Sequence, residues 1–313
     1  MKILITGALG HIGSYLLHNL PKKYNNLYIV AVDSLATNRY PSIFNLPSEA
    51  KYKFIEGDVR NIDLHNELIK CDLVIHLAAT TDAESSVQNP IQVEDNNFKS
   101  TKRIAEQCIS TDTSLIAVST SSIYGTSKKV VDENCSNAEL NPQSPYAKTK
   151  LKEENYLNNL RNLGKFSNFV ILRFGTIFGT SKGMRFHTAV NKFCLNTIIK
   201  EEIPVWNTAL NQYRPYLSIN DSFKTFKFIL DKNFFPNDTF NILSENKTVK
   251  EIINHIKNCG YNPKIKMTKS LIMNQLSYKV KKNKIESFGL KLRSKIKNDI
   301  EKTLKLFKQI NYD

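Results

Sequence analysis

The chain contains no apolar run near the roughly 20 residues that a membrane-spanning helix requires, which argues against an α-helical membrane protein. Cysteine is scarce: Cys71, Cys108, Cys135, Cys194 and Cys259 are odd in number and scattered, without the paired spacing of a zinc site or a disulfide framework. They read as reduced, mostly core thiols, and no metal site is expected. Glycine and proline number only 11 and 10, with no linker rich in either, no internal repeat and no low-complexity tract, so a hinged tandem of domains is not expected. Met1 to Gly7 runs straight into a glycine turn without the cleavage region of a signal peptide, and the cytoplasm is the expected address.

What is present is a globular composition. The 313 residues are 41% apolar and 23% charged, enough for a large core and two interleaved lobes. The net charge of +15 raises the question of a polyanion partner. From Tyr261 to Asp313 there are 14 Lys or Arg against 4 Asp or Glu, so the excess is concentrated at the C-terminal end. It is mostly lysine, without interleaved aromatics or a nucleic-acid motif, and reads as a solvated face with no specific nucleic acid partner.

The first half alternates strand-like and helix-like segments, which predicts an α/β fold with a Rossmann-type doubly wound parallel sheet. Strands are expected at Lys2–Thr6, Tyr28–Asp33, Lys53–Asp58, Asp72–Ala78, Ser114–Ser119 and Asn168–Phe174, all read as short buried runs. Helices are expected at Ile12–Leu20, Ile91–Ser110 and Ser144–Asn162. Residues 1–175 then form a dinucleotide-binding domain, and 176–313 a smaller mixed α/β lobe interleaved with it. In that lobe Thr248 caps a helix over Val249–Asn258, and Ile296, Ile300, Leu304, Phe307 and Ile310 form a helical apolar stripe.

Gly7-Ala8-Leu9-Gly10-His11-Ile12-Gly13 follows a strand and opens a helix. Glycines in that place permit a tight turn, close approach of backbone to a pyrophosphate, and close packing of helix on strand; the helix N-terminus offers amide hydrogens to phosphate. Asp33 ends the second strand, where a carboxylate accepts hydrogen bonds from the adenosine ribose and repels a 2′-phosphate. NAD is therefore expected rather than NADP, although an aspartate there also suits a plain turn.

Tyr146 and Lys150, four residues apart, share one helix face. A phenol is a poor base at neutral pH unless a neighbouring ammonium favours its ionised form. With Ser119-Thr120-Ser121-Ser122 at the end of the fifth strand, the three side chains Thr120, Tyr146 and Lys150 form a candidate catalytic set.

These stretches, together with Gly57-Asp58-Val59-Arg60, His76-Leu77-Ala78-Ala79, Asn97-Phe98-Lys99-Ser100-Thr101, Leu172-Arg173-Phe174-Gly175 and Arg214-Pro215-Tyr216, resemble the NAD-dependent epimerase/dehydratase family over nearly the whole chain. These are the extended short-chain dehydrogenase/reductases. The resemblance implies that Gly7, Gly10, His11, Ile12, Gly13, Asp33, Asp58, Val59, Leu77, Ala78, Ala79, Asn97 and Ser119 serve the cofactor. It further implies that Thr120 shares a hydrogen bond with a sugar hydroxyl, Tyr146 takes its proton, and Lys150 tunes Tyr146 and holds the nicotinamide ribose. Ser121, Ser122, Thr176 and Arg214 would face a nucleotide-diphosphate sugar, Arg214 at the diphosphate.

The family's 4,6-dehydratases carry Asp-Glu after the threonine, its uronate decarboxylases a Glu at the second place, and its 3,5-epimerase/reductases a cysteine there. Here both places are serine, so a nucleotide-sugar 4-epimerase, with hydride held on NAD and returned, is reached by elimination. Thr176 stands where the galactose epimerases carry asparagine. A net NAD-dependent oxidoreductase and a non-catalytic NAD- or polyanion-binding protein stay open. Surface polysaccharide biosynthesis is a plausible setting. Gly183-Met184-Arg185-Phe186-His187 with Trp206 also departs from the galactose epimerases and implies no particular substrate; a lone His187 at a helix start is open to a substrate contact but, like Trp206, reads first as structural. The family's habit of pairing two helices across a homodimer would place Ile104, Cys108, Tyr156 and Leu160 at that interface.

Overall fold

A computed structural model describes residues 1–81, 85–125, 128–268 and 277–309. The first elements are β1 (Lys2–Thr6), α1 (His11–Asn19), β2 (Leu27–Asp33), β3 (Ala50–Glu56), α2 (His65–Leu68), β4 (Leu73–His76), α3 (Pro90–Ser110) and β5 (Ser114–Thr120). Then come β6 (Val130–Val131), α4 (Pro145–Asn162), β7 (Phe169–Phe174), β8 (Thr176–Phe178), α5 (Ala189–Ile198), β9 (Ile203–Trp206), β10 (Tyr213–Ser218) and α6 (Ile219–Lys232). The chain continues through β11 (Asp238–Ile242), β12 (Glu245–Thr248), α7 (Val249–Asn258), β13 (Ile265–Thr268), β14 (Lys279–Val280), α8 (Asn283–Ser287) and α9 (Ile296–Leu306).

Seven strands pair in the order β11-β7-β5-β4-β1-β2-β3, all parallel, as the alternating pattern predicts. Side chains alternate across the sheet. Ile3 and Ile5 join one core with Leu16 and Leu17 of α1 and Phe226 and Ile229 of α6; Leu4 faces the other with Ile104 of α3 and Leu157 of α4. Each such fully buried side chain contributes about 1.5–3 kcal/mol. The strand order reverses between β1 and β4, and a crevice opens there beyond the C-terminal strand ends.

Two expectations are corrected by this packing. β3 is an edge strand with alternating exposure, because it has a neighbour on one side only. Ile104 and Cys108 are 0% exposed and Leu160 8%, all packed in the core beneath the sheet, so they are not an interface for a second copy. The amphipathic stripe of α3 is spent inside the molecule; on its outer side Phe98 meets Tyr156 edge-on at 5.8 Å.

Beyond β7 the chain builds a three-stranded sheet, β12-β10-β8, and the pair β13-β9. Phe178, Phe193, Ile252, Ile256, Ile296, Ile300 and Leu304 form their core. Thr248 closes a full capping box with Glu251, as its place before the apolar stripe of α7 predicts. Phe307 meets Phe186 at 5.9 Å, while Ile310 lies outside the described residues. β11 returns to the large sheet, so both lobes border the crevice. Among the described residues no helix is long and apolar enough to cross a membrane.

Candidate active site

The glycine turn is set by contacts that leave no room for a side chain. Gly7 has φ +62°, and a Cβ there would lie 2.7 Å from the Ala78 nitrogen. A Cβ on Gly13 would lie 2.5 Å from the Ala8 carbonyl oxygen, which lets α1 start directly against the turn. Gly183 packs onto the same turn from the second lobe, its would-be Cβ 2.1 Å from the Leu9 oxygen. Nothing local in the sequence marks that glycine.

Asp33 Oδ2 accepts from the Leu9 amide and Oδ1 from the Leu35 amide, both at 2.9 Å. Each oxygen keeps a second lone pair, so anchoring the turn and accepting from a ribose are compatible. The Ser119 hydroxyl is buried with no hydrogen-bond partner among the described residues. A cradle of glycines, a carboxylate with acceptor sites to spare and an unsatisfied buried hydroxyl together fit a bound NAD.

All these groups border one cleft of about 1000 Å³. That is the top of the range for a single small-molecule site, about 300–1,000 Å³. Every residue that the sequence suggested for cofactor, substrate or chemistry lines it except Asn97. Asn97 is fully buried and clamps the backbone of Thr80, its Oδ1 accepting from Thr80 N at 2.7 Å and its Nδ2 donating to Thr80 O at 2.9 Å. Its neighbour Asn96 stands on the wall instead. Asp58 also lines the wall, where the Arg60 guanidinium at 2.6 Å holds its carboxyl below the usual range.

Thr120 ends β5, and its Oγ1 accepts from the Ser122 amide at 3.1 Å, capping the turn that presents Ser121 and Ser122. α4 begins with Pro145 behind the cap Ser144, whose Oγ accepts from Ala147 N. Tyr146 and Lys150 therefore sit in the first turns of α4, on the cleft wall with Thr120. Burial pushes the Tyr146 phenol up, opposed by the charges of Lys150 and Arg185. Burial alone would lower Lys150, but Glu153 and Tyr146 outweigh it and hold the ammonium above its ordinary range.

α4 is fixed from below by a buried ion pair. Arg173 on β7 donates to both Glu154 oxygens at 2.7–3.1 Å and to the Tyr124 hydroxyl at 3.0 Å, which donates to Asn241 at 2.8 Å. His11 ties the turn to the second lobe: its Nε2 donates to Gly179 O at 2.8 Å, and burial lowers its pKa to about 3.

Several wall residues carried no signal in the sequence: Arg39, Lys192, Gln212 and Tyr278; Arg185, from the segment that departs from the galactose epimerases, joins them. His187 and Trp206, read as structural, also stand on the wall. Tyr278 links two parts of the site, since its hydroxyl donates to the Ser121 carbonyl at 3.1 Å while the Arg214 guanidinium lies 5.3 Å from its ring centre.

Residues 3–242 match the model of the NAD dependent epimerase/dehydratase family, and the chain belongs to that family. It is 30% identical over 276 residues to a dTDP-D-glucose 4,6-dehydratase of Dictyostelium discoideum, across 81% of this chain and 62% of that protein. It is 30% identical over 253 residues to an uncharacterized UDP-glucose epimerase of Bacillus subtilis, across 77% of this chain and 76% of the relative. The fold superposes with a TM-score of 0.85 on UDP-glucuronic acid 4-epimerase from Bacillus cereus, solved with UDP-glucuronic acid and NAD, at 26% identity and 99% coverage of both chains.

Proposed function

We propose that the chain is an NAD-dependent nucleotide-sugar 4-epimerase. The observation that carries this reading is the serine pair Ser121 and Ser122 beside Thr120 on the cleft wall. A 4,6-elimination needs an added acid and base next to the sugar, and these two positions offer neutral hydroxyls. Among the described residues lining the cleft, the carboxylates are Asp33 and Asp58, both placed on the dinucleotide side with the glycine turn.

In this reading Arg214 and Gln212 hold the diphosphate end, where a guanidinium fork suits phosphate. Thr120 aligns the sugar's 4-hydroxyl toward Tyr146, which takes its proton while Lys150 favours the phenolate. Bound NAD would supply the hydride acceptor and donor. Gly7, Gly10 and Gly13 bring backbone to its pyrophosphate, and Asp33 holds its adenosine ribose. The 4-keto sugar turns over in the wide cleft while the nucleotide end stays anchored, so that the fourth carbon presents its opposite face to the returning hydride as Tyr146 gives the proton back to the oxygen. Binding energy far from the reacting carbon makes that turn possible.

The dehydratase relative favours a second reading, 4,6-dehydration. Incubation with a panel of nucleoside-diphosphate sugars without added cofactor separates the two by NMR. Interconversion of 4-epimers supports the proposal; a 4-keto-6-deoxy sugar supports dehydration, and net use of added NAD(H) supports an oxidoreductase. A homodimer through the outer side of α3 and α4, where Phe98 and Tyr156 meet, is part of the proposal. A monodisperse monomer by light scattering at micromolar concentration would contradict it.

A further inference from the structure

The catalytic helix carries a second buried acid that the proposed reaction does not use. Glu153, 5% exposed, accepts from Lys150 Nζ at 2.9 Å and from the Thr101 hydroxyl at 2.7 Å, both on Oε2. Its other oxygen, Oε1, is buried with no hydrogen-bond partner among the described residues. A buried carboxylate half unsatisfied is expensive, and packing alone would be better served by an apolar side chain.

The hydrogen bonds leading to Glu153 all run one way. Thr6 Oγ1 accepts from the amides of Leu77 and Ala78 at 3.1 and 3.2 Å, so its own proton goes to His76 Nδ1 at 2.7 Å. His76 must then carry its proton on Nε2, which donates to Thr101 Oγ1 at 3.2 Å, and Thr101 donates to Glu153. The imidazole is neutral, burial holding its pKa at about 3. The chain begins at the amides of Leu77 and Ala78 on the cleft wall and ends at the ammonium of Lys150.

We infer that Glu153 is a positioning residue for the Tyr146–Lys150 pair, its carboxylate fixing the Lys150 ammonium and cancelling part of that charge at Tyr146. The phenol then keeps its proton until a bound, oxidised nicotinamide restores positive charge beside it. The inference rests on Tyr146 and Lys150 being the catalytic pair. The charged and titratable groups around it are Tyr146, Lys150 and Glu154 on α4, the last paired to Arg173 of β7; His76 on β4; and Arg185, whose charge reaches Tyr146. Glu154 is neutralised by its own partner, and His76 is neutral. Of the two α4 acids, Glu153 hydrogen-bonds Lys150 and its charge reaches Tyr146, while Glu154 adds a smaller contribution at Lys150.

The test is the tyrosinate absorbance of Tyr146, read without substrate as the difference between each protein and its Tyr146→Phe counterpart over a pH titration. Glu153→Gln keeps the shape and removes the charge, so the tyrosinate midpoint moves down by about one unit or more. Glu153→Asp keeps the charge, and its midpoint stays nearer the parent's. Glu153→Ala, which also removes the charge, gives a downward move of the same sign and reads the inference even if Glu153→Gln does not fold. An unmoved or raised midpoint in folded Glu153→Gln or Glu153→Ala overturns it. Because no sugar is present, the result stands whether or not the 4-epimerase reading does.

Discussion

At the glycine-turn end of the cleft, recognition is built from backbone: three glycines that tolerate no Cβ or face the open crevice, and an aspartate already tied to two amides. At the other end, Arg185, His187, Lys192, Gln212 and Arg214 reach in as long side chains from separate segments of the second lobe. A backbone site is rigid and tolerates little change. A site made of long side chains is retuned by single substitutions, which suits a family whose members share one cofactor and differ in sugar.

The contrast is broken most severely at the turn. Gly13→Val puts a branched side chain where even a Cβ lies 2.5 Å from the Ala8 oxygen. The expected result is loss of retained NAD after purification, with about 1–3 kcal/mol lower stability by denaturant titration. At the other end, Arg214→Gln leaves retained NAD unchanged and raises KM for the nucleotide sugar by about 10- to 100-fold, the worth of a charge-assisted hydrogen bond. If it also strips the cofactor, the two ends are not separable.

His11 joins the ends, and its pH behaviour sharpens the comparison. It is neutral in the folded protein, with a pKa of about 3, and takes a proton in the unfolded chain below 6.5. The stability that depends on its neutrality is complete above 6.5 and is lost as the pH falls toward 3. Below 6.5 this amounts to about 1.4 kcal/mol per pH unit. His76 adds a loss of the same sign. Melting temperatures from pH 7 to 5 should fall, and fall less steeply in His11→Gln. The smallest effect is expected from Asp33→Asn, which removes a charge facing a 2′-phosphate and improves NADP binding relative to NAD by about 1 kcal/mol or more. Competition binding of the two cofactors reads it.

The geometry of the glycine-turn end was legible in the sequence because its rules are local. Glycine spacing after a strand, an acid at the end of the next strand, and Tyr146 four residues before Lys150 each depend on neighbours in the chain. The cap at Thr248 was legible for the same reason. The hydrogen-bond chain from Thr6 through His76 and Thr101 to Glu153 was not, since it joins β1, β4, α3 and α4 and no member has an unusual neighbour in sequence. The stripe of Ile104 and Cys108 misled because an amphipathic face looks alike whether it meets the sheet or a second molecule. Trp206 reaches the cleft, and Gly183 the glycine turn, only through the packing of the second lobe, which no local pattern encodes.

In the proposed reaction hydride leaves the sugar's fourth carbon and returns to it. A nucleoside-diphosphate sugar carrying deuterium at that carbon, once a substrate is found, tests this directly. The expected product is a 4-epimer with the deuterium still at the fourth carbon, formed without added cofactor and slowed by about 10²–10⁴-fold in Tyr146→Phe. Deuterium found at the sixth carbon of a 4-keto-6-deoxy product, or released on free NADH, would contradict it.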